Sequence, residues 1–149
     1  MDAVSHPDPA VQSLVGSSVV PLRLEFGVAA HRGFLRDLGA LWTPTTWVLD
    51  AHRREFRREV GFLDAADLHA VLSEGVALAF VANGRASEAT AILEEAIAHH
   101  GPVGRWAGSL RYWRGAVGYV RTGDHDDLEA RWAEARMIDP DGWGRRAVT

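Results

Sequence analysis

The sequence contains no cysteine and no lysine among its 149 residues. Without cysteine, the chain alone forms no disulfide, no thiolate nucleophile and no cysteine-ligated metal site. Without lysine, a Schiff-base lysine and the lysine of a P-loop are also excluded. The 16 basic residues are therefore all arginine, and 20 acidic residues bring the net charge to −4. This balance argues against a general nucleic-acid binder.

Long apolar segments are missing as well. No uninterrupted apolar run reaches the roughly 18 residues of a membrane-spanning helix. The first 13 residues have neither the basic start nor the apolar stretch of a secretory signal. We therefore expect a cytoplasmic protein without a membrane span. Apolar residues make up 47% of the chain and charged residues 24%, which is typical of a folded globular domain.

The first 62 residues mix short helical and strand patterns. Asp8-Pro9 is a favourable helix start, because Asp caps helices and Pro fits their first turn. Further segments are predicted, in order, as a strand over 19–26, a helix over 30–38, and strands over 45–49 and 54–60. The last two strands would form a hairpin, with Phe56 and Val60 on one face.

From residue 63 the periodicity becomes helical, with apolar residues three and four positions apart. Gly84 and Gly123 are natural helix ends, and Asp64 is a natural cap. Four helices are predicted, over about 65–83, 87–99, 105–121 and 126–137.

These four helices contain an internal repeat with an offset of 39 residues. Superimposing Gly84 on Gly123 aligns aromatic with aromatic, alanine with alanine and large apolar with large apolar residues: Phe80 with Tyr119, Ala77 with Ala116, Leu93 with Trp132 and Ala96 with Ala135. The pattern resembles the tetratricopeptide repeat (TPR), a helical hairpin of about 34 residues, with a short insertion. Ser73 departs from it, since an aromatic is usual there. The resemblance implies two stacked hairpins, which need a neighbouring element to cover the first one.

Thr43-Pro44 directly precedes the apolar strand pattern of 45–49. This arrangement resembles the thioredoxin-like family, in which a Thr-Pro pair with a cis bond leads into a strand, a return strand and a final helix. The resemblance covers about residues 2–75. The family's first strand and its Cys-x-x-Cys motif have no counterpart here, and the resemblance would place them upstream of Met1. Without that first strand, we expect segments 19–26 and 45–49 to pair directly or to be covered by another chain.

Six residues are candidates for binding a peptide or protein partner: Trp42, Thr43, Pro44, Tyr112, Trp113 and Trp143. In the family that Thr43-Pro44 resembles, the backbone beside the cis-proline binds an extended peptide; the alternative is a structural turn. Trp143 either folds over the open end of the helices or remains an exposed anchor. Tryptophan and arginine are common interface anchors, and the arginines near these tryptophans are Arg111, Arg114, Arg145 and Arg146.

No cofactor and no metal site is expected. None of the seven histidines has another at an i, i+4 spacing, and His99-His100 suits the last turn of a helix through the helix dipole. No nucleophile elbow and no glycine-rich phosphate loop occurs. The arginines at 53, 54, 57 and 58 form either a phosphate-binding patch or a solvated hairpin whose charge Glu55 and Glu59 neutralise.

The predicted fold is α/β plus α: a truncated thioredoxin-like unit over 1–64, two TPR-like hairpins over 65–140 whose first helix is shared with that unit, and a tail over 141–149. The predicted function is a non-catalytic protein-interaction or scaffold module that self-associates as a homodimer through the sheet edge, without nucleic acid or membrane. One alternative is a thiol–disulfide oxidoreductase whose cysteines lie upstream. Another is a regulatory module that binds an anionic ligand through arginine.

Overall fold

The computed structural model describes residues 5–148. These residues form six α-helices, two short 3₁₀ helices and one two-stranded antiparallel sheet. In chain order the elements are α1 (Pro9–Ser18), a 3₁₀ helix (Ala29–His31), α2 (Arg32–Asp37), β1 (Thr45–Leu49), β2 (Glu55–Val60), α3 (Ala65–Ala82), α4 (Ala86–His100), α5 (Ala107–Thr122), α6 (His125–Ile138) and a 3₁₀ helix (Trp143–Arg145). The mixed α and β class is confirmed, and the helices from residue 65 onward agree with their predicted bounds to within two residues.

Helix α3 is the central element of the structure. Its start is capped by Asp64, whose side chain accepts a hydrogen bond from the backbone N–H of Asp67 at 2.8 Å. Helices α1, α4 and α5 and both strands pack against it. Because these neighbours cover several of its sides, apolar residues such as Val71 and Val76 are buried all around the helix rather than along one stripe.

Within the described residues, α3 is the one helix whose length and mean hydropathy, 1.5, would suit a membrane span. Yet 56% of this segment is buried by the rest of the fold. The core helix of a soluble protein has the same length and composition, so α3 alone does not indicate a membrane protein.

The last four helices form two hairpins. Helix α3 packs on α4, α5 packs on α6, and α4 joins the pairs by packing on α5. Gly84 and Gly123 follow the first helix of each pair with φ angles of 76° and 70°, a conformation that glycine adopts without steric cost. Ala96 and Ala135, aligned by the offset of 39, are both fully buried. These two pairs of residues therefore occupy equivalent places in the two helical hairpins.

The β-hairpin packs a partly charged face against α3. Val48 lies opposite Arg57 in the ladder, and both lie against α3 at Gly75. Phe56 and Val60 do share a face, as predicted, but it is the face turned away from α3, and Val60 is 59% exposed. The predicted alternation of β2 is therefore present, with Arg57 rather than Phe56 and Val60 on the face toward α3.

The strand predicted over 19–26 is not formed. This segment has no regular secondary structure and pairs with no strand in residues 5–148. Val20 is 93% exposed, so the segment has no buried apolar face, and Pro21 has no N–H to give to a ladder. Strand propensity expresses itself through packing against neighbouring strands, and here no neighbour is present. The expected pairing of 19–26 with 45–49 is therefore absent.

Gly75→Ala is expected to destabilise the protein because the hairpin approaches α3 too closely for a side chain. A Cβ at position 75 would lie 2.7 Å from Val48 Cγ2 and 2.8 Å from Arg57 Cβ. We expect the free energy of unfolding to fall by about 1–3 kcal/mol in urea titrations.

The matched control is Gly16→Ala in α1, where a Cβ meets no atom within 4 Å. This variant should raise stability by about 0.5–1 kcal/mol through helix propensity alone. Equal effects at the two positions would contradict the close approach at Gly75.

Candidate functional site

An exposed apolar surface lies at one end of the β-hairpin. We use this name for Phe26, Leu41, Trp42, Val60 and Phe62, which are all more than half exposed. The first three, with Thr43, line an open groove of about 200 Å³. Large exposed apolar side chains that lie together commonly mark a binding surface.

Backbone hydrogen bonds hold this end of the hairpin together. The Thr43–Pro44 peptide bond is cis. The carbonyl of Pro44 accepts a hydrogen bond from the Gly61 N–H at 2.8 Å, and the Thr45 hydroxyl donates to the carbonyl of Trp42 at 2.7 Å. Thr45 also lies opposite Val60 in the ladder. These contacts fix the turn that carries Trp42 beside the residues that follow β2. Thr43-Pro44 therefore has a structural role. Peptide docking at this turn stays a prediction.

Strand β1 has a second, open edge. It pairs with β2 on one side, and no other strand in residues 5–148 pairs with either of them. The open edge of β1 is uncharged, since the strand reads Thr-Thr-Trp-Val-Leu. Strand β2 reads Glu-Phe-Arg-Arg-Glu-Val and carries four charges, a feature that discourages edge pairing. Of the two strands, β1 is therefore the one suited to adding another strand.

The other candidate aromatic residues form a second group, at the α5–α6 hairpin. The ring of Tyr112 stacks on Trp132, with centroids 5.2 Å apart, and also contacts Trp113 and Trp143. Asp139 accepts hydrogen bonds from the backbone N–H groups of Gly142 and Trp143 and so folds the tail back. Trp143 therefore packs over the end of the helices. This is one of the two arrangements that the sequence left open, the other being an exposed anchor.

The structure thus divides the six predicted binding residues between two places. Tyr112, Trp113 and Trp143 are partly buried in one aromatic cluster. Trp42, Thr43 and Pro44 lie before β1, and Trp42 is 65% exposed. Of the two groups, the one around Trp42 is the exposed one.

Two of the arginines considered as interface anchors are interior. Arg114 donates to Glu94 at 2.5 Å and to Asp127 at 2.9 Å, which joins α4, α5 and α6. Arg111 pairs with Glu134 at 3.2 Å and donates to backbone carbonyls. Each is only 7% exposed. Both guanidinium groups hold helices together and are not available to a partner.

Three arginines of the β-hairpin are paired with acids, two of them with Glu55 and Glu59 as the solvated-hairpin alternative predicted. Their partners lie at 2.5–2.9 Å: Arg54 with Asp50, Arg58 with Glu55, and Arg57 with Glu59. Arg57 departs from that alternative, because it also lies against buried Glu74. The remaining one, Arg53, lies over the ring of Phe34. These contacts do not favour an anion site at the hairpin.

Glu74 is a fully buried carboxyl group between the hairpin and the helices. Ser109 of α5 donates a hydrogen bond to its Oε1, and Arg57 Nη2 lies 3.4 Å from its Oε2. That second oxygen has an ion pair and no hydrogen bond. Burial therefore raises the pKa of Glu74 to about 6, although the Ser109 hydrogen bond and the Arg57 charge oppose the rise.

Three histidines meet where α3 begins and α4 ends. His69 Nδ1 lies 3.1 Å from His100 Nε2, and one nitrogen from each of His69, His99 and His100 lies within 4.8 Å of the others. His69 is buried, and this burial, with the neighbouring His99 and His100, lowers its pKa to about 4. The imidazole is therefore neutral at pH 7.

Sequence reasoning missed this cluster because it compared histidines along one helix only. The signal that reveals it is the hairpin: His69 and His99 lie fifteen residues before and fifteen residues after Gly84. Two antiparallel helices that turn at Gly84 bring positions equidistant from the turn side by side. The predicted hairpin thus already contained this contact.

Comparisons with known proteins identify no family. A scan against protein-family models, a search of the curated proteins and a search of the solved structures each found no match. The resemblances to the thioredoxin-like and TPR families stay predictions from the residues.

Glu74→Gln should change how stability depends on pH. The pKa of Glu74 is about 6 in the folded protein against 4.5 ordinarily, so the folded state binds more protons than the unfolded state between these values. The contribution of Glu74 therefore falls as pH rises through this window, by about 2 kcal/mol. Glu74→Gln has no carboxyl group to titrate at this position, so its free energy of unfolding should lack this fall.

The measurement is urea unfolding of wild type and variant at closely spaced pH values from about 4.5 to 6.5. The difference between the two proteins isolates Glu74, because His69 titrates in both and has the opposite sign. Exposed Glu95→Gln on α4 is the control and should follow wild type. An identical pH profile for wild type and Glu74→Gln would contradict the assignment.

Proposed function

We propose that the protein is a non-catalytic interaction module that self-associates through its exposed apolar surface and the adjoining edge of β1. The observation that carries the proposal is the set of exposed Phe26, Leu41, Trp42, Val60 and Phe62 at the end of the hairpin where β1 begins. The second edge of β1 is uncharged and pairs with no strand in residues 5–148. Leaving such side chains in water is unfavourable by about 25 cal/mol for each Å² of apolar area. Covering them by another chain recovers this free energy.

The occupant we propose is a second copy of this chain. An open strand pairs with its own copy around a two-fold axis, so one surface serves both partners and the assembly closes as a dimer. The charges on β2 direct the pairing to β1. Tryptophan is a common anchor at the centre of such an interface. Trp42 and its neighbour Leu41 are the most exposed large members of the cluster.

We also propose the finer architecture as TPR-like hairpins joined to a thioredoxin-like unit. The matching positions of Gly84 with Gly123 and of Ala96 with Ala135 support the repeat. The order of Thr43-Pro44, β1, β2 and α3 supports the second resemblance. On this reading the hairpins form the scaffold that holds the β1 edge in place.

Leu41→Arg and Trp42→Arg are expected to weaken the dimer. Each replaces an exposed apolar anchor by a charge, and loss of an interface anchor of this kind weakens association by roughly 30-fold or more. The measurement is molar mass by light scattering over roughly 1 µM to 1 mM protein. Both variants should retain wild-type helicity by circular dichroism, because neither side chain is buried.

The control is Met137→Arg on α6, an equally apolar side chain that is 84% exposed and lies outside the apolar surface. It should dimerise as wild type does. A wild-type monomer over the whole concentration range would contradict self-association. A dimer that withstands both substitutions near β1 would show that another surface mediates it.

A further inference from the structure

The histidine cluster has the donor set of a transition-metal site. We propose that His69, His99 and His100 together bind one divalent zinc-like ion, which fastens the start of α3 to the end of α4. The cluster lies on the first helical hairpin and involves none of the residues of the exposed apolar surface. The inference is therefore independent of self-association.

The distances match three imidazole ligands around one ion. Zinc–nitrogen bonds of 2.0–2.1 Å in a tetrahedral site place two ligand nitrogens about 3.3 Å apart. His69 Nδ1 and His100 Nε2 are already 3.1 Å apart, and one nitrogen from each of the three rings lies within 4.8 Å of the others. His99 is exposed, so its side chain has room to turn and bring its ring nitrogen closer to those of His69 and His100. Three protein nitrogens leave a fourth position for water.

The chemistry of the donors selects the kind of ion. Imidazole suits zinc, copper, nickel and iron, whereas calcium and magnesium prefer oxygen ligands. With no cysteine in the chain, no thiolate competes for the metal. His69 is 5% exposed, and the hairpin fixes its position before any ion arrives. A buried, positioned ligand distinguishes this cluster from a chance pair of surface histidines.

Nearby carboxylates supply negative charge without blocking the site. Asp8 interacts electrostatically with His69, and Asp64 and Asp67 interact with His100. Asp8 and Asp64 cap α1 and α3 through backbone N–H groups. Asp67 accepts a hydrogen bond from the indole of Trp106 at 2.6 Å. These acids are held by other partners, so they offset the charge of a cation while the histidines ligate it.

A hydrogen bond between His69 and His100 is the metal-free alternative. It satisfies one nitrogen on each of two rings and does not involve His99, whose ring centroid lies 4.7 Å from that of His69. A metal ion uses all three rings. Only the metal account predicts one bound ion per chain and weaker metal binding when His99 is removed.

The test uses the full chain without a histidine tag, stripped with EDTA and titrated with Co²⁺ and Zn²⁺. We expect one Co²⁺ per chain with the intense visible bands of a tetrahedral site, and displacement of these bands by Zn²⁺. Zinc should also raise the melting temperature, because an ion that binds only the folded state stabilises it. His99→Ala and His100→Ala should each weaken binding at least 10-fold, since even the loss of outer partners costs that much.

The matched control is His52→Ala, which removes an exposed histidine of the hairpin turn and should bind as wild type does. His69→Gln tests the buried ligand, with circular dichroism to establish folding; if it does not fold, the His99 and His100 variants carry the test. Binding that is weak, octahedral or unchanged by His99→Ala and His100→Ala would overturn the proposal. So would tight binding that leaves the melting temperature unchanged, because α3 and α4 would then not be joined.

Discussion

The buried carboxyl of Glu74 is the constraint on which the assembly of this fold depends. A carboxylate without partners in a protein interior costs several kcal/mol, and removing one partner of a buried pair typically costs about 3–5 kcal/mol. Its partners come from different elements, Ser109 from α5 and Arg57 from β2. Helix α5 and the β-hairpin therefore have to reach α3 in one relative position. Gly75 permits this, because its lack of a side chain lets β2 come close enough for Arg57 to reach Glu74.

The same constraint determines which side chains the hairpin exposes. Successive residues of a strand alternate between faces, so turning Arg57 and Glu59 toward α3 turns Phe56 and Val60 away from it. The apolar residues of β2 are thus displaced to the outside by the ionic contact inside. Part of the exposed apolar surface is a direct consequence of Glu74, which links a feature of the core to the proposed interaction surface.

The sequence predicts those parts of this structure that are determined locally. Asp64 as a cap and Gly84 as a terminator give helix bounds that neighbouring chain segments do not alter. Segment 19–26 forms no strand because strand propensity needs a neighbouring strand. The alternation of β2 predicts that Phe56 and Val60 share a face, but not which face α3 covers, because that depends on the contact between Arg57 and Glu74. Glu74 lies within a largely apolar stretch of the sequence. It is the sign that α3 offers a carboxyl group, and not only apolar side chains, to the hairpin.

Helix α3 is buried on several sides, and apolar contacts alone leave its rotation and translation weakly determined, because such contacts are not directional. Polar contacts supply direction, among them the hydrogen bond that Asp67 accepts from the Trp106 indole. Glu74 relates α3 to β2 and α5, and His69 relates it to the end of α4 through His100. These positions lie five residues apart on the helix, so together they fix its rotation and its axial position. An ion at the histidines would strengthen the contact between α3 and α4. Its first measurable effect should therefore be an increase in the stability of the fold.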